Sequence, residues 1–359
     1  MADAHQTPLA AYLHAYIGRD QTISFQEYMQ ICLTHEKHGY YKTAIAVGDD
    51  FITAPEISPL FGQVMGFWVL QQWLALKSPP QWTLIELGGG RGTLMRDVLH
   101  VLSLVPACIA GVMIQMVECN PHAIAQQRSA VTDVPAQKKN FFPTWVPSSE
   151  DLQLKAPYIL IANEFLDALP VQPYYMCRGQ LWEERVMSDG HSFRCVRAPQ
   201  PIQEPLPWYV LGDGASLCEG DCIEVCAYYD SFLRSLSACC VEGAAAFIDY
   251  GYTGIQRTGT VQGVRQHAYT DVMTDPGFVD ITSHVNFTAF TSLAEAQGFS
   301  THVTHQRHFL KDNGIDLRLA KILQQNPKQS SEIMAGYDRL ITDLGILFKV
   351  AVLKKNRVV

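Results

Sequence analysis

Charge is scarce in these 359 residues: Asp, Glu, Lys and Arg make up 17%, below the roughly 25% of an average globular chain. Sparse charge leaves room for an apolar surface that a partner covers. The 27 basic residues face 35 acidic ones, a net charge of -8, and no Lys/Arg run occurs. No nucleic-acid partner is expected, and a basic protein segment is the easier one. No Cys-x-x-Cys pair is present, and 10 Cys are too few for a disulfide scaffold of this length. Cys218, Cys222 and Cys226, spaced by four, read as reduced thiols on a strand and its turn rather than as a metal or redox cluster. His302, His305 and His308, spaced by three, would alternate between the faces of a strand, which opposes three convergent ligands. No metal is expected. The first twenty residues hold two Asp and one Arg, without a basic segment leading into an apolar one. A secretory signal or an Arg-rich transit peptide is therefore not expected, and a bacterial cytoplasmic location is. The longest apolar run, Leu99 to Met116, is broken by His100, Pro106 and Gly111, so no membrane insertion is expected.

What is present is apolar: 48% hydrophobic residues suffice to bury a core, which excludes disorder as the main state. The length suits one large or two ordinary domains. Residues 1–80 read as a helical and loop-rich region. Ser24 with Glu27 makes a capping box that opens a helix through Tyr28, Ile31 and Cys32. A Gly/Pro-punctuated loop follows around Gly48 to Glu56, then a helix from about Leu60 to Leu76. Beyond Pro79-Pro80 strands and helices alternate. Strands are expected at Trp82–Leu87, Val112–Val117 and Tyr158–Ala162, with helices at Thr93–Leu104 and from Pro121. This predicts an α/β fold with a mostly parallel sheet, helices on both faces, and binding at the carboxyl ends of the strands. Residues 171–226 break the alternation with short runs between glycine turns, the pattern of an inserted antiparallel meander. One domain carrying this insertion would then cover 81–359. A helix at Tyr228–Cys239 and strands at Ala245–Asp249 and Phe348–Leu353 complete it.

Ile85-Glu86-Leu87-Gly88-Gly89-Gly90-Arg91-Gly92 leaves a strand and enters a helix. A dinucleotide fingerprint, G-x-G-x-x-G, fails in both registers, because Thr93 or Arg91 falls where glycine is needed. The spacing that fits is acid-x-G-x-G-x-G, with Glu86, Gly88, Gly90 and Gly92. It resembles the first motif of class I S-adenosylmethionine-dependent methyltransferases. That cofactor has no pyrophosphate for a helix N-terminus but a cationic methionine end, which an acid on the first strand can serve. Glu118 ends the second strand, where a carboxylate can accept both ribose hydroxyls.

Asn163-Glu164-Phe165-Leu166-Asp167 leaves the next buried strand. In the class this position resembles, that strand end faces the transferred methyl. Displacement at a sulfonium methyl needs an aligned, polarised nucleophile. For a guanidinium, Glu164 and Asp167 would hold the planar fork and take the released proton. Two blander readings stand beside this one: acids stabilising a helix N-terminus, and Asn163 as its cap.

Taken in order, ISFQEYM, HGYY, GDDFITAPEISPLFG, IELGGGRGTL, ANEFLDALPV, FIDYGY, DPGFVDITSHVNF and LFKVAVL resemble the MidA-like methyltransferases, over roughly residues 22 to 353. That family includes the mitochondrial complex I assembly arginine methyltransferase. The resemblance implies a class I (Rossmann-like) fold, S-adenosyl-L-methionine as cofactor, and a protein arginine as acceptor. In mitochondrial relatives that arginine belongs to a peripheral-arm subunit of complex I and is symmetrically dimethylated. It further implies that Tyr40, Tyr41 and Thr53 are lid or cofactor contacts, with the Phe51–Glu56 loop over the cofactor and Glu56 an acid beside it. His284 is implied as a base or acceptor-pocket donor, with a satisfied structural histidine as the alternative, and Asp249 as part of the pocket floor or as a structural acid. Two departures stand out. Gly89 replaces the usual Pro or Ala of the glycine loop, and Asn286 replaces the Asp of a His-Val-Asp-Phe block. Two alternatives stay open: a methyltransferase with a small-molecule or other acceptor, and an assembly chaperone that binds the cofactor without catalysis. Oligomeric state is open too, a homodimer included.

Overall fold

Residues 6–42, 53–132, 134, 143–154, 157–211, 216–239 and 242–356 are described by the computed structural model. They divide into two compact units of interleaved segments. One unit comprises Ile52–Leu166, Phe232–Gly251 and Ala294–Val359; the other comprises Met1–Phe51, Asp167–Ser231 and Tyr252–Leu293.

The first unit is built on a mostly parallel sheet. Its strands are Trp82–Leu87 (β1), Val112–Val117 (β2), Thr144–Val146 (β3), Tyr158–Asn163 (β4), Gly243–Tyr252 (β5), Ser300–His305 (β6) and Phe348–Lys355 (β7). They lie in the order β6-β7-β5-β4-β1-β2-β3. From β5 to β3 every pair is parallel, while β7 runs antiparallel to β5 and β6. Every residue of β1 and β4 is buried, as a strand covered on both faces requires. Helices Pro59–Ala75 (α1), Thr93–Leu102 (α2) and Pro121–Thr132 (α3) belong to this unit. Leu60, Phe61, Val64, Met65, Trp68 and Trp73 of α1 are buried in the core shared with β1, β4 and α2. The helix expected to reach Leu104 stops at Leu102, because Pro106 opens a short separate helix, Pro106–Ala110.

In the second unit Ser24 caps the helix Phe25–Thr34, its hydroxyl accepting from Glu27 N–H at 3.1 Å. The capping box is only half made, since Glu27 Oε1 accepts from the Tyr16 hydroxyl instead. The expected meander is present as Gln172–Cys177, Gln180–Ser188, Phe193–Arg197 and Cys222–Val225, all antiparallel. A correction applies to the N-terminal region, read as helices and loops: Gln21–Ser24 is a strand paired with Gln180–Ser188. A separate three-stranded sheet joins Gln262–Arg265, Ala268–Thr270 and Asp280–Thr282. Of the three spaced histidines, His302 and His305 lie on β6 but His308 lies on the helix Gln306–Asp312. Among the described residues no helix is long and apolar enough to cross a membrane.

Candidate active site

The carboxyl end of β1 feeds the glycine loop. Gly88 N–H still donates to the Val117 carbonyl of β2, and Gly92 N–H turns back onto the Gly89 carbonyl at 2.8 Å. A Cβ on Gly90 would meet nothing within 4 Å, whereas one on Gly92 would strike Gln127 Cα at 2.8 Å. With φ of 50° and 83°, both positions suit glycine. Gly90 therefore turns towards open space that a ligand can take, and Gly92 lets the loop seat on α3. Gly88 has positive φ as well.

Glu86 is 2% exposed, and its Oε2 has no hydrogen-bond partner among the described residues. Burial first, and the charge of Glu118 second, push its carboxyl up to about 8. A buried carboxyl held in this way is poised for a cation, which would draw it into the ionised form. Glu118 sits one residue past β2, its N–H donating to the Val146 carbonyl at 2.9 Å. Its Oε1 accepts from Asn120 N–H at 2.8 Å, and its Oε2 from Gln127 Nε2 at 3.1 Å.

Thr53 is the N-cap of the short helix Ala54–Ile57, without a side-chain capping bond. Glu56 Oε1 accepts from the Thr93 hydroxyl, which brings this segment to the start of α2, directly after the glycine loop. Phe51 and Ile52 of the expected cofactor-covering loop lie outside the described residues.

At the end of β4, Asn163 is buried and its Nδ2 donates to Glu164 Oε1 at 2.9 Å. Glu164 has φ of 53°, in the left-handed region that an L-residue enters at a cost. Its N–H donates to the Ile248 carbonyl of β5, which extends the parallel ladder past the strand. No helix follows Asn163; residues 164–170 form a turn, so the helix-cap readings of Asn163, Glu164 and Asp167 do not apply. Asp249, fully buried on β5, anchors that turn. Its Oδ2 accepts from Phe165 and Leu166 N–H, its Oδ1 from Tyr250 N–H. Glu164 is held where it is by this backbone clamp.

The remaining expected residues belong to the other unit. The Tyr41 hydroxyl donates to Asp280 Oδ1 at 2.9 Å. Burial first, then the charges of Asp280 and Asp167, hold that hydroxyl well above its usual range. The Asp167 carbonyl accepts from Ser283 N–H. His284 N–H donates to Thr260 Oγ1, and Thr260 in turn donates to the buried Glu224 through both its N–H and its hydroxyl. Asn286 is accounted for without a ligand. Its Oδ1 accepts from Ala289 N–H in the first turn of the helix Phe287–Ala296, and its Nδ2 donates to the Val210 carbonyl. A carboxylate could make the first bond but not the second.

Comparison with known proteins decides what this site belongs to. The family model Methyltransf_28, S-adenosyl-L-methionine-dependent methyltransferase, matches residues 64–305. The chain is a member of this methyltransferase family. It is 31% identical over 363 residues to protein arginine methyltransferase NDUFAF7, mitochondrial, of Rattus norvegicus, covering 94% of this chain and 81% of that one. With the Danio rerio protein of the same name it shares 31% identity over 346 residues, 89% of this chain and 80% of that one. The structure is similar to that of a Burkholderia thailandensis protein bound to S-adenosyl-homocysteine. The TM-score is 0.81 at 27% identity, covering 98% of this chain and 92% of that chain.

The methyltransferase uses S-adenosylmethionine, and its residues fit that cofactor on their own chemistry. Glu86 offers an orphaned buried acceptor for a cation, Gly90 an open backbone face, and Glu118 a carboxylate for hydroxyls. Sequence reasoning missed Gln127, a polar residue in mid-helix that reads as surface but is fully buried. It also missed the Glu56–Thr93 link, whereas Asp249, read as pocket floor or as structural, anchors the turn after β4. An acid closing a strand was the one available signal for Asp249; Gln127 carried none.

Proposed function

We propose that this methyltransferase modifies an arginine side chain of a protein, and that Glu164 is the acid that meets the guanidinium. The observation that carries the reading is the strained Glu164, clamped by Asp249 beside Asn163 at the strand end of the unit that holds the glycine loop. The naming of relatives as protein arginine methyltransferases supports it. S-adenosylmethionine supplies an electrophilic methyl on a cationic sulfur and leaves as S-adenosyl-homocysteine. Glu118 takes the ribose hydroxyls and Glu86 faces the cationic end. Glu164 orients the guanidinium through charge-assisted hydrogen bonds and receives the proton that the methylated nitrogen gives up. Asn163 holds the Glu164 carboxylate at a fixed angle. Thr53, Tyr41 and Glu56 are assigned to the cofactor's side of the site; Asp167 and His284 are acceptor-side candidates for the same assays.

The family resemblance extends the proposal to symmetric dimethylation, and to a peripheral-arm subunit of complex I as the acceptor during assembly. Its test is labelled S-adenosylmethionine added with the purified protein to extract from cells lacking the gene, followed by hydrolysis of the labelled band. Symmetric dimethylarginine in a protein band, absent with Glu164→Gln, is the expected result. Label in a small molecule, or in another amino acid, would overturn the arginine reading. Bacterial cytoplasmic residence goes with the same proposal and is tested by fractionating the source cells.

A further inference from the structure

Gln127 makes more hydrogen bonds at the glycine loop than any motif accounts for. It is fully buried on α3. Its Oε1 accepts from Trp145 Nε1 at 2.7 Å; its Nε2 donates to the Gly90 carbonyl at 3.0 Å and to Glu118 Oε2 at 3.1 Å. The amide orientation is fixed by chemistry. An indole N–H only donates, so the oxygen must face Trp145 and the two N–H groups must face the carbonyl and the carboxylate. A carboxylate or an apolar side chain at 127 could not satisfy all three partners. Trp145 is itself held in place, with the Arg128 guanidinium 4.7 Å from its ring centre.

We infer that Gln127 is a positioning residue for the cofactor: through one amide it sets the angle of the Glu118 carboxylate and ties it to the open glycine of the loop. Glu118 has rotatable bonds that would otherwise let its carboxylate swing into solvent. Gln127 holds one oxygen, Asn120 N–H the other, and the plane of the carboxylate is set before a ribose arrives. The same amide grips the peptide of Gly90, so the loop and the acid keep one spacing. The inference rests on reading Glu118 as the ribose acid.

Affinity for S-adenosyl-homocysteine, measured by calorimetry, tests it with the full chain. Gln127→Met keeps the length of the side chain and removes both donors. The expected result is binding about 10- to 100-fold weaker, since the charge-assisted bond to Glu118, the neutral bond to Gly90 and the one that fixes Trp145 are all lost. Glu118→Gln should weaken binding as well. Because Gln127 acts in part through Glu118, the double variant should lose clearly less than the product of the two single losses. A Gln127→Met protein that binds within twofold of the parent overturns the inference. So does a double variant whose losses multiply, since that marks a residue acting independently of Glu118. If Glu118→Gln leaves affinity unchanged, the ribose reading fails first and the inference falls with it. Should Gln127→Met not fold, Trp145→Phe removes only the ring N–H that fixes the amide. It should weaken binding several-fold, and unchanged binding would count against the inference equally.

Discussion

Two carboxylates a short distance apart in the fold are tuned in different ways. Glu118 is held by an amide and a backbone N–H, whereas Glu86 has an unpartnered buried oxygen and a carboxyl raised to about 8. The sign of the consequence follows from linkage. Between the ordinary carboxyl range and about 8 the folded protein holds a proton on Glu86 that the unfolded chain does not, so this group's contribution to stability falls as pH rises. Glu86→Gln should flatten that slope and give a free protein with a Tm at pH 8 no lower than the parent. It should also lose most of the stabilisation that S-adenosylmethionine confers. Binding of the cationic cofactor to the parent at pH 7 should release a proton, seen as a calorimetric enthalpy that depends on the buffer. An enthalpy independent of buffer would contradict a protonated Glu86. Glu164 is a second tuned position. Removing its strained backbone with Glu164→Gly should leave Tm equal or higher by the effect of about 1 kcal/mol, while methyl transfer is abolished. A Tm several degrees lower would show that the carboxylate, rather than a backbone under strain, serves the fold.

At the scale of elements, the glycine loop separates folding from binding. Gly92→Ala combines a left-handed backbone with a contact on α3 and should destabilise by roughly 2–4 kcal/mol, read from urea unfolding. Gly90→Ala meets no neighbour and should cost only about 1 kcal/mol, yet it should weaken cofactor binding tenfold or more because its side chain enters the ligand's space. Equal stability losses in the two variants would remove that distinction. The elements legible in the sequence were those with mainly apolar runs: β1 and β4, buried throughout, have the residues that a doubly covered strand demands. Gln21–Ser24 escaped because only one of its four residues is buried, leaving no period to read. Ala268–Thr270 has no buried residue at all. Their pairing is set by tertiary partners rather than by local preference.

Across the whole molecule, the acidic balance and the alternating strands fixed the class of protein to expect, and the spacing of Glu86, Gly88, Gly90, Gly92 and Glu118 pointed to the cofactor. The two units were harder to see. Each is assembled from three separated segments, and such interleaving leaves no linker or change of composition along the chain. Gln127 went unread, and the bonds of Asp249 and Asn286 could not be foreseen, because all three act by satisfying the backbone or another side chain, a role defined by geometry and invisible to spacing.

Under the proposed function, labour is divided at the strand ends: Glu86 and Glu118 would serve the donor, and Glu164 the acceptor. This division is tested most directly by a single-turnover measurement of methyl transfer to the acceptor protein, with Glu164→Gln preloaded with S-adenosylmethionine and its affinity for S-adenosyl-homocysteine determined alongside. Affinity within twofold of the parent is expected, with transfer slower by about a hundredfold or more, as the loss of an aligned acid requires. Affinity and transfer falling together would place Glu164 on the donor's side, and transfer at the parent rate would remove it from the reaction.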